Sequence, residues 1–163
     1  MALPGISTVG IKLGYAVGDL GAANKPNAFT LLTRINAIGN IAMDVEQIDA
    51  SALEDEVSKY IAGRADTGGT VSITVNVTDD TIEEWEAVFT ASKGATAQGK
   101  SVWFENWSPS RQKAFYFCAQ TPPVFPMPSE DQNALETVEI VLTINEVIGW
   151  DTAIEPTGTT TTT

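Results

Sequence analysis

Apolar side chains recur at every second position through long stretches of this chain, and period two is the geometry of a β-strand with one face turned to a core. From Thr70 to Thr78, Val71, Ile73, Val75 and Val77 share one face, while Thr70, Ser72, Thr74, Asn76 and Thr78 share the other. From Leu135 to Glu146 the inward set is Val138, Ile140, Leu142 and Ile144, opposed by Thr137, Glu139, Val141, Thr143 and Asn145. β-Branched residues crowd a helix and suit a pleated sheet, so both segments are read as strands. A third strand, weakened by its glycines, is expected where Val9, Ile11, Leu13 and Tyr15 alternate with Thr8, Gly10, Lys12 and Gly14. Between Phe29 and Ile48 the apolar parity switches near Gly39, which implies a bend or bulge there.

Ser101 to Trp107 and Lys113 to Gln120 are expected to form a hairpin joined through Ser108, Pro109 and Ser110. Both of its faces are apolar, so the core should cover one, and a helix or another subunit the other. One helical pattern covers about 80–92: Asp79 or Asp80 as its cap, Ile82, Trp85, Val88 and Phe89 as its buried stripe, and Lys93-Gly94 as its end. The chain therefore reads as mainly β with one α-helix.

With 163 residues, of which 43% are hydrophobic, the sequence suits a single domain of about 1–155 with an N-terminal arm of about 1–5. Asp44 to Gly69 is expected to be a long early loop, acidic through Asp44, Glu46, Asp49, Glu54, Asp55 and Glu56 and glycine-rich at its end. A loop of that length in a compact domain is usually functional, and this one should be mobile until a partner orders it. Thr121 to Asn133, with Pro122, Pro123, Pro126 and Pro128, reads as an extended excursion. Residues 156–163 read as an exposed, low-complexity threonine tail with no core role.

Nine Lys+Arg against 21 Asp+Glu leave a net charge of −12, which repels both DNA and anionic lipid. No apolar run is long enough to span a membrane, and the first ten residues lack a signal-peptide pattern, so membrane insertion and export are not expected. Histidine is absent, which removes the commonest general base and metal ligand together. Cys118 is the lone cysteine, so no intramolecular disulfide or cysteine zinc site can form, and a reducing compartment is expected.

The remaining chemistry is sparse. Asp44 with Glu46 and Glu136 with Glu139 are carboxylate pairs of the kind a glycosidase uses, but 21 acids produce such spacings by chance, and Glu136 and Glu139 fall on opposite strand faces. The acids from Asp49 to Glu56 lack calcium-loop spacing, and Gly63 to Gly69 has no lysine for a phosphate cradle. Cys118 lies in the aromatic run Phe115-Tyr116-Phe117 and reads as an inert buried thiol. No catalytic, cofactor-binding or metal-binding residue is assigned. Long strand edges and threonine-rich faces instead suit a protein that assembles.

The run Ile48-Asp49-Ala50-Ser51-Ala52-Leu53-Glu54-Asp55, then Lys59-Tyr60-Ile61-Ala62-Gly63, then Asp66-Thr67-Gly68-Gly69 opening the strand Val71 to Val77, resembles the major tail tube proteins of long-tailed bacteriophages with non-contractile tails. The likeness covers about 5–150 and extends to the order of the helix and the late strands. It implies two packed β-sheets in a sandwich or barrel-like fold, flanked by the helix and carrying a long early loop. It further implies a non-enzymatic virion protein whose copies form stacked hexameric rings, a tail tube through which genomic DNA passes without specific binding. Partners implied are further copies of itself, a tape measure protein, a tail terminator and baseplate-end proteins, with assembly in the host cytoplasm.

On that resemblance the assembly loop comprises Asp44, Glu46, Asp49, Leu53, Glu54, Asp55, Glu56, Lys59, Tyr60, Ile61, Gly63, Arg64 and Asp66. Six copies would carry about −72 per ring, so cations are needed at the interfaces, and Lys12, Arg34, Lys59, Arg64 and Lys113 are the candidates. A tail terminator or a secretion-system tube protein of the same fold is the alternative. A carbohydrate-binding β-sandwich that stacks sugars on Trp103, Trp107 or Trp150 is a further one.

Overall fold

A computed structural model describes residues 4–158. The first three residues of the expected arm and residues 159–163 of the threonine tail lie outside the described residues. The alternating segments form β1 (Lys12–Gly18), β2 (Thr30–Leu32), β3 (Ile35–Ile38), β4 (Asp44–Asp49), β5 (Tyr60–Asp66), β6 (Thr70–Asn76), β7 (Ser101–Trp107), β8 (Lys113–Gln120) and β9 (Thr137–Thr152). The helix α1 (Asp79–Ala97) joins β6 to β7. The fold is mainly β with one helix and two sheets: a seven-stranded sheet in the order β2-β1-β7-β8-β9-β6-β3, and a two-stranded sheet of β4 and β5.

The large sheet is curled. Strands β2 and β3 occupy its opposite edges, yet only Thr33 and Arg34 separate them in the chain. Six inter-strand gaps would span about 29 Å if flat, whereas three peptide steps reach about 11 Å. The edges must therefore bend toward one another. Arg34 makes the turn at φ +56°, and its carbonyl accepts the Asn76 N–H (3.0 Å), which starts β3 along β6.

Inside the curl lies the main core. Val71, Ile73 and Val75 from β6, Val138, Ile140 and Leu142 from β9, Val102 and Phe104 from β7, and Phe117 from β8 pack with Trp85, Val88 and Phe89 of α1. Each such side chain removed from water contributes about 1.5–3 kcal/mol. The alternation of β6 and the first part of β9 thus has its expected sense. β9 runs 16 residues, further than its periodicity indicated. Register shifts against β8 at Tyr116/Phe117 and Cys118/Ala119 let this long strand bend without losing its partner.

Several local expectations are corrected. The helix is 19 residues long and runs through Lys93 and Gly94 to Ala97, with Gly99 in the left-handed region (φ +72°) just beyond. Its cap is Thr78, whose hydroxyl accepts the Thr81 N–H (3.2 Å) while Thr81 Oγ1 accepts the Thr78 N–H (2.8 Å). Asp79 and Asp80 sit in the first turn, where they suit the helix dipole without capping it. The irregularity near Gly39 falls between Ile35 and Ala37. Gly39 is required for another reason: its N–H donates to the Ser72 carbonyl (2.7 Å), and a Cβ would lie 2.9 Å from that oxygen.

The outer face of the β7–β8 hairpin, where a helix or another subunit was expected, is covered by other segments of the same chain. Trp103, Ala114, Tyr116 and Cys118 pack there against Phe29, Ile148, Ala153 and Ile154, forming a second core. Residues 153–157 therefore act as a strap across this face. Contrary to the expected tail, Pro156 is buried, Thr157 N–H donates to the Phe29 carbonyl (3.0 Å), and Leu31 N–H donates to the Thr157 carbonyl (2.9 Å).

Candidate assembly surface

The early acidic segment folds as a hairpin where a loop was expected. β4 and β5 pair antiparallel with Ile48 opposite Ile61 and Asp49 opposite Tyr60, and neither strand pairs with the large sheet. A register shift between Val45 and Gln47 is accommodated at Gly63, where a Cβ would stand 3.0 Å from the Glu46 carbonyl oxygen. Weak periodicity in the sequence follows from this geometry, since a bulge resets the parity and neither face rests on a core.

The tip of the hairpin carries its own polar frame. Ala50 N–H donates to the Lys59 carbonyl (2.8 Å), and Lys59 N–H donates to Ser51 Oγ (2.7 Å). Asp49 accepts the Ser51 N–H (2.9 Å), and the Ser51 contacts hold its carboxyl below the usual carboxylate range. Asp55 accepts from Lys59 Nζ (2.6 Å) and from the Ala52 N–H (2.8 Å), which lower its pKa in that order. These contacts project Leu53 and Val57 outward.

Both hairpin faces present apolar side chains to solvent. Leu53 is fully exposed at 109%, Val57 is exposed to 75%, and Tyr60, Ile61, Ile48, Val45 and nearby Met43 are each about half exposed or slightly more or less. An isolated two-stranded hairpin is marginal in water. A row of large apolar residues on such an element is unusual unless another surface covers them. At the hairpin base an open cleft of about 590 Å³ sets Arg64 among Asp44, Glu46 and Asp66. Glu54 and Glu56 are exposed near the tip.

The candidate cations divide. Lys12 pairs with Glu155 (3.0 Å) and lies over the Trp107 ring, and Lys59 pairs with Asp55 (2.6 Å). Arg34, Arg64 and Lys113 are exposed and form no ion pair within 4.0 Å among the described residues. Trp103 is fully buried, with its Nε1 donating to the Asp19 carbonyl (2.9 Å), so it cannot stack on a sugar. Trp107 is half-buried, and Trp150 is exposed beside Phe115 and Arg111.

Two polar features escaped the sequence reading. Glu84 of α1 binds Thr33 at the turn between the sheet edges. Glu105 of β7 is fully buried on the outer face. Its position on the same strand parity as Trp103 and Trp107, in a strand read as covered on both sides, was the available signal. Burial pushes the Cys118 thiol up to about 12, which leaves it protonated and unreactive at neutral pH. Among the described residues no group of three or more His, Cys, Asp or Glu side chains could hold a metal ion, and no helix is long and apolar enough to cross a membrane.

No protein-family model matches the chain, and no curated protein matches its sequence. Solved structures do share its fold. A chain from the virion of a native gene transfer agent particle is 12% identical with a TM-score of 0.52, the match covering 92% of this chain and all (100%) of that one. A chain from the tail of an empty gene transfer agent particle with C6 symmetry is 15% identical with a TM-score of 0.49, over 85% of this chain and 94% of that one. The fold is thus one found in the virion of a gene transfer agent.

Proposed function

We propose that this chain is a structural tail protein whose copies form stacked hexameric rings, a tube through which DNA is delivered. The observation that carries the reading is the β4–β5 hairpin: a self-framed element, unpaired with the main sheet, that exposes Leu53, Val57, Tyr60 and Ile61. A neighbouring copy would bury these side chains, and the exposed Arg64 and Lys113 would meet the acid excess of that copy. The fold shared with a virion chain supports the same reading. A net charge of −12 per copy suits a conduit, because a wall that repels phosphate lets DNA slide. The work is contact between copies, with no catalytic step, and it places the protein in the virion after assembly in the host cytoplasm. A tape measure, a terminator and baseplate-end proteins would complete the tail.

Electron microscopy of the concentrated protein, alone and with its assembly partners, tests this. Stacked rings around a channel are expected. Rings that close and never stack would assign the chain to the terminator role, and a monomer under every condition would overturn the proposal.

A further inference from the structure

Glu105 is an acid with little compensation. It is fully buried and neither carboxylate oxygen makes a well-formed hydrogen bond, the Ile154 N–H and the Tyr116 hydroxyl being the donors near enough to favour its ionised form. Its neighbours across the sheet are Gly14 on β1 and Tyr116 on β8. Above Gly14 lies the strap: a Cβ there would stand 2.9 Å from Pro156 and 3.0 Å from Phe29. The carboxyl is therefore enclosed by the strap, and its enclosure ends when the strap lifts.

The charged and titratable groups around it offer little to an ionised form. Tyr116 donates its hydroxyl proton to the Thr152 carbonyl (2.6 Å), leaving its oxygen free to accept a proton from a neutral carboxyl. Lys25 donates to the same carbonyl (2.7 Å), approaches Asp151 (3.5 Å) and lies over the Tyr116 ring. On the strap, Glu155 is engaged by Lys12 (3.0 Å). Asp151 is held ionised by the Thr152 N–H and then by Lys25. An ionised Glu105 would thus be a buried charge whose nearest cation, Lys25, is engaged elsewhere, and the Ile154 N–H does not offset its burial.

We propose that Glu105 is a proton-operated latch on the strap 153–157, which stays seated while the carboxyl is neutral and loosens when it ionises. Burial raises the Glu105 pKa to about 7, opposed by the Ile154 N–H, Tyr116 and Lys25. Once the strap lifts, water restores the ordinary value near 4.5. The seated state therefore binds more protons. Its advantage is complete below the ordinary value, declines as pH rises toward 7, and is gone above that. With no histidine in the chain, few side chains titrate in this window. Tyr116 and Cys118 ordinarily titrate above it, and burial raises both further.

Amide exchange of the full-length chain reads the strap directly, through the Thr157 and Leu31 N–H groups that bond across it. After correction for intrinsic exchange, their protection should fall about a hundredfold between pH 5 and pH 8. In Glu105→Gln it should stay level over the same range. Level protection in the wild type, or an equal fall in the variant, overturns the latch. If the variant does not fold, the carboxyl carbon resonance of Glu105 in the wild type decides the matter. A midpoint that tracks the loss of strap protection is expected, and ionisation below pH 6 beneath a fully protected strap overturns the proposal.

Discussion

Glu84 grips Thr33 twice over: its carboxylate accepts the Thr33 backbone N–H at 3.0 Å and the Thr33 hydroxyl at 2.9 and 3.0 Å. The helix thereby holds the one point at which the chain passes from one edge of the curled sheet to the other. A charge-assisted pair of this kind is worth about 1.5–3 kcal/mol, because its removal also strands the partly buried Thr33 donor. Glu84→Ala is expected to lower stability by about 2 kcal/mol in urea denaturation, and Glu84→Gln by less. A loss under about 0.5 kcal/mol would show that the turn holds itself.

Two glycines should respond to alanine in opposite directions. At Gly14 a methyl group meets Pro156 at 2.9 Å and Phe29 at 3.0 Å, so Gly14→Ala should cost about 1–3 kcal/mol by overpacking. Gly94 lies in α1 with nothing within 4 Å of its Cβ position, and Gly94→Ala should stabilise by up to about 1 kcal/mol. Thermal unfolding of both variants checks the contrast.

The helix cap gives a third comparison. Thr78→Ala removes the acceptor for the Thr81 N–H and should cost about 1 kcal/mol. Asp79→Ala and Asp80→Ala should each change stability by under about 0.5 kcal/mol, since both carboxylates serve only the dipole. Equal losses from all three would return the capping role to the acids.

At the hairpin tip, folding and assembly should separate. Leu53→Asp and Val57→Asp alter exposed side chains, so the urea midpoint should stay within about 0.5 kcal/mol of the wild type. The same variants should form no rings by electron microscopy. Rings of normal appearance would remove the tip from the interface.

What the residues disclosed in advance was whatever a local period can carry. β6, the start of β9, the β7–β8 hairpin and the stripe Trp85, Val88 and Phe89 each place apolar groups at the spacing of one element against one core. β4 and β5 resisted because their bulge breaks the parity and their apolar groups face solvent on both sides. The cap was misplaced by one or two residues because two acids stand beside the threonine that performs it. Glu105, Glu84 and the strap depend on residues far apart in the chain, a relationship no periodicity encodes. The role of Pro156 was hidden by the threonines that follow it, which lend the whole segment the look of a tail.

Synthesis imposes an order on the second core that its finished packing conceals. Lys25 and Thr152, which meet at 2.7 Å, are 127 positions apart, and the strap that covers Phe29, Trp103 and Cys118 is translated after all three. The strap directly follows β9, the strand that joins β8 to β6, so until both have emerged the outer aromatic face has to wait, wet and adhesive. Contacts of such long separation form slowly, and unfinished apolar faces are where nascent chains aggregate. The vulnerable interval for this protein is therefore the time before the strap is free to cover that face.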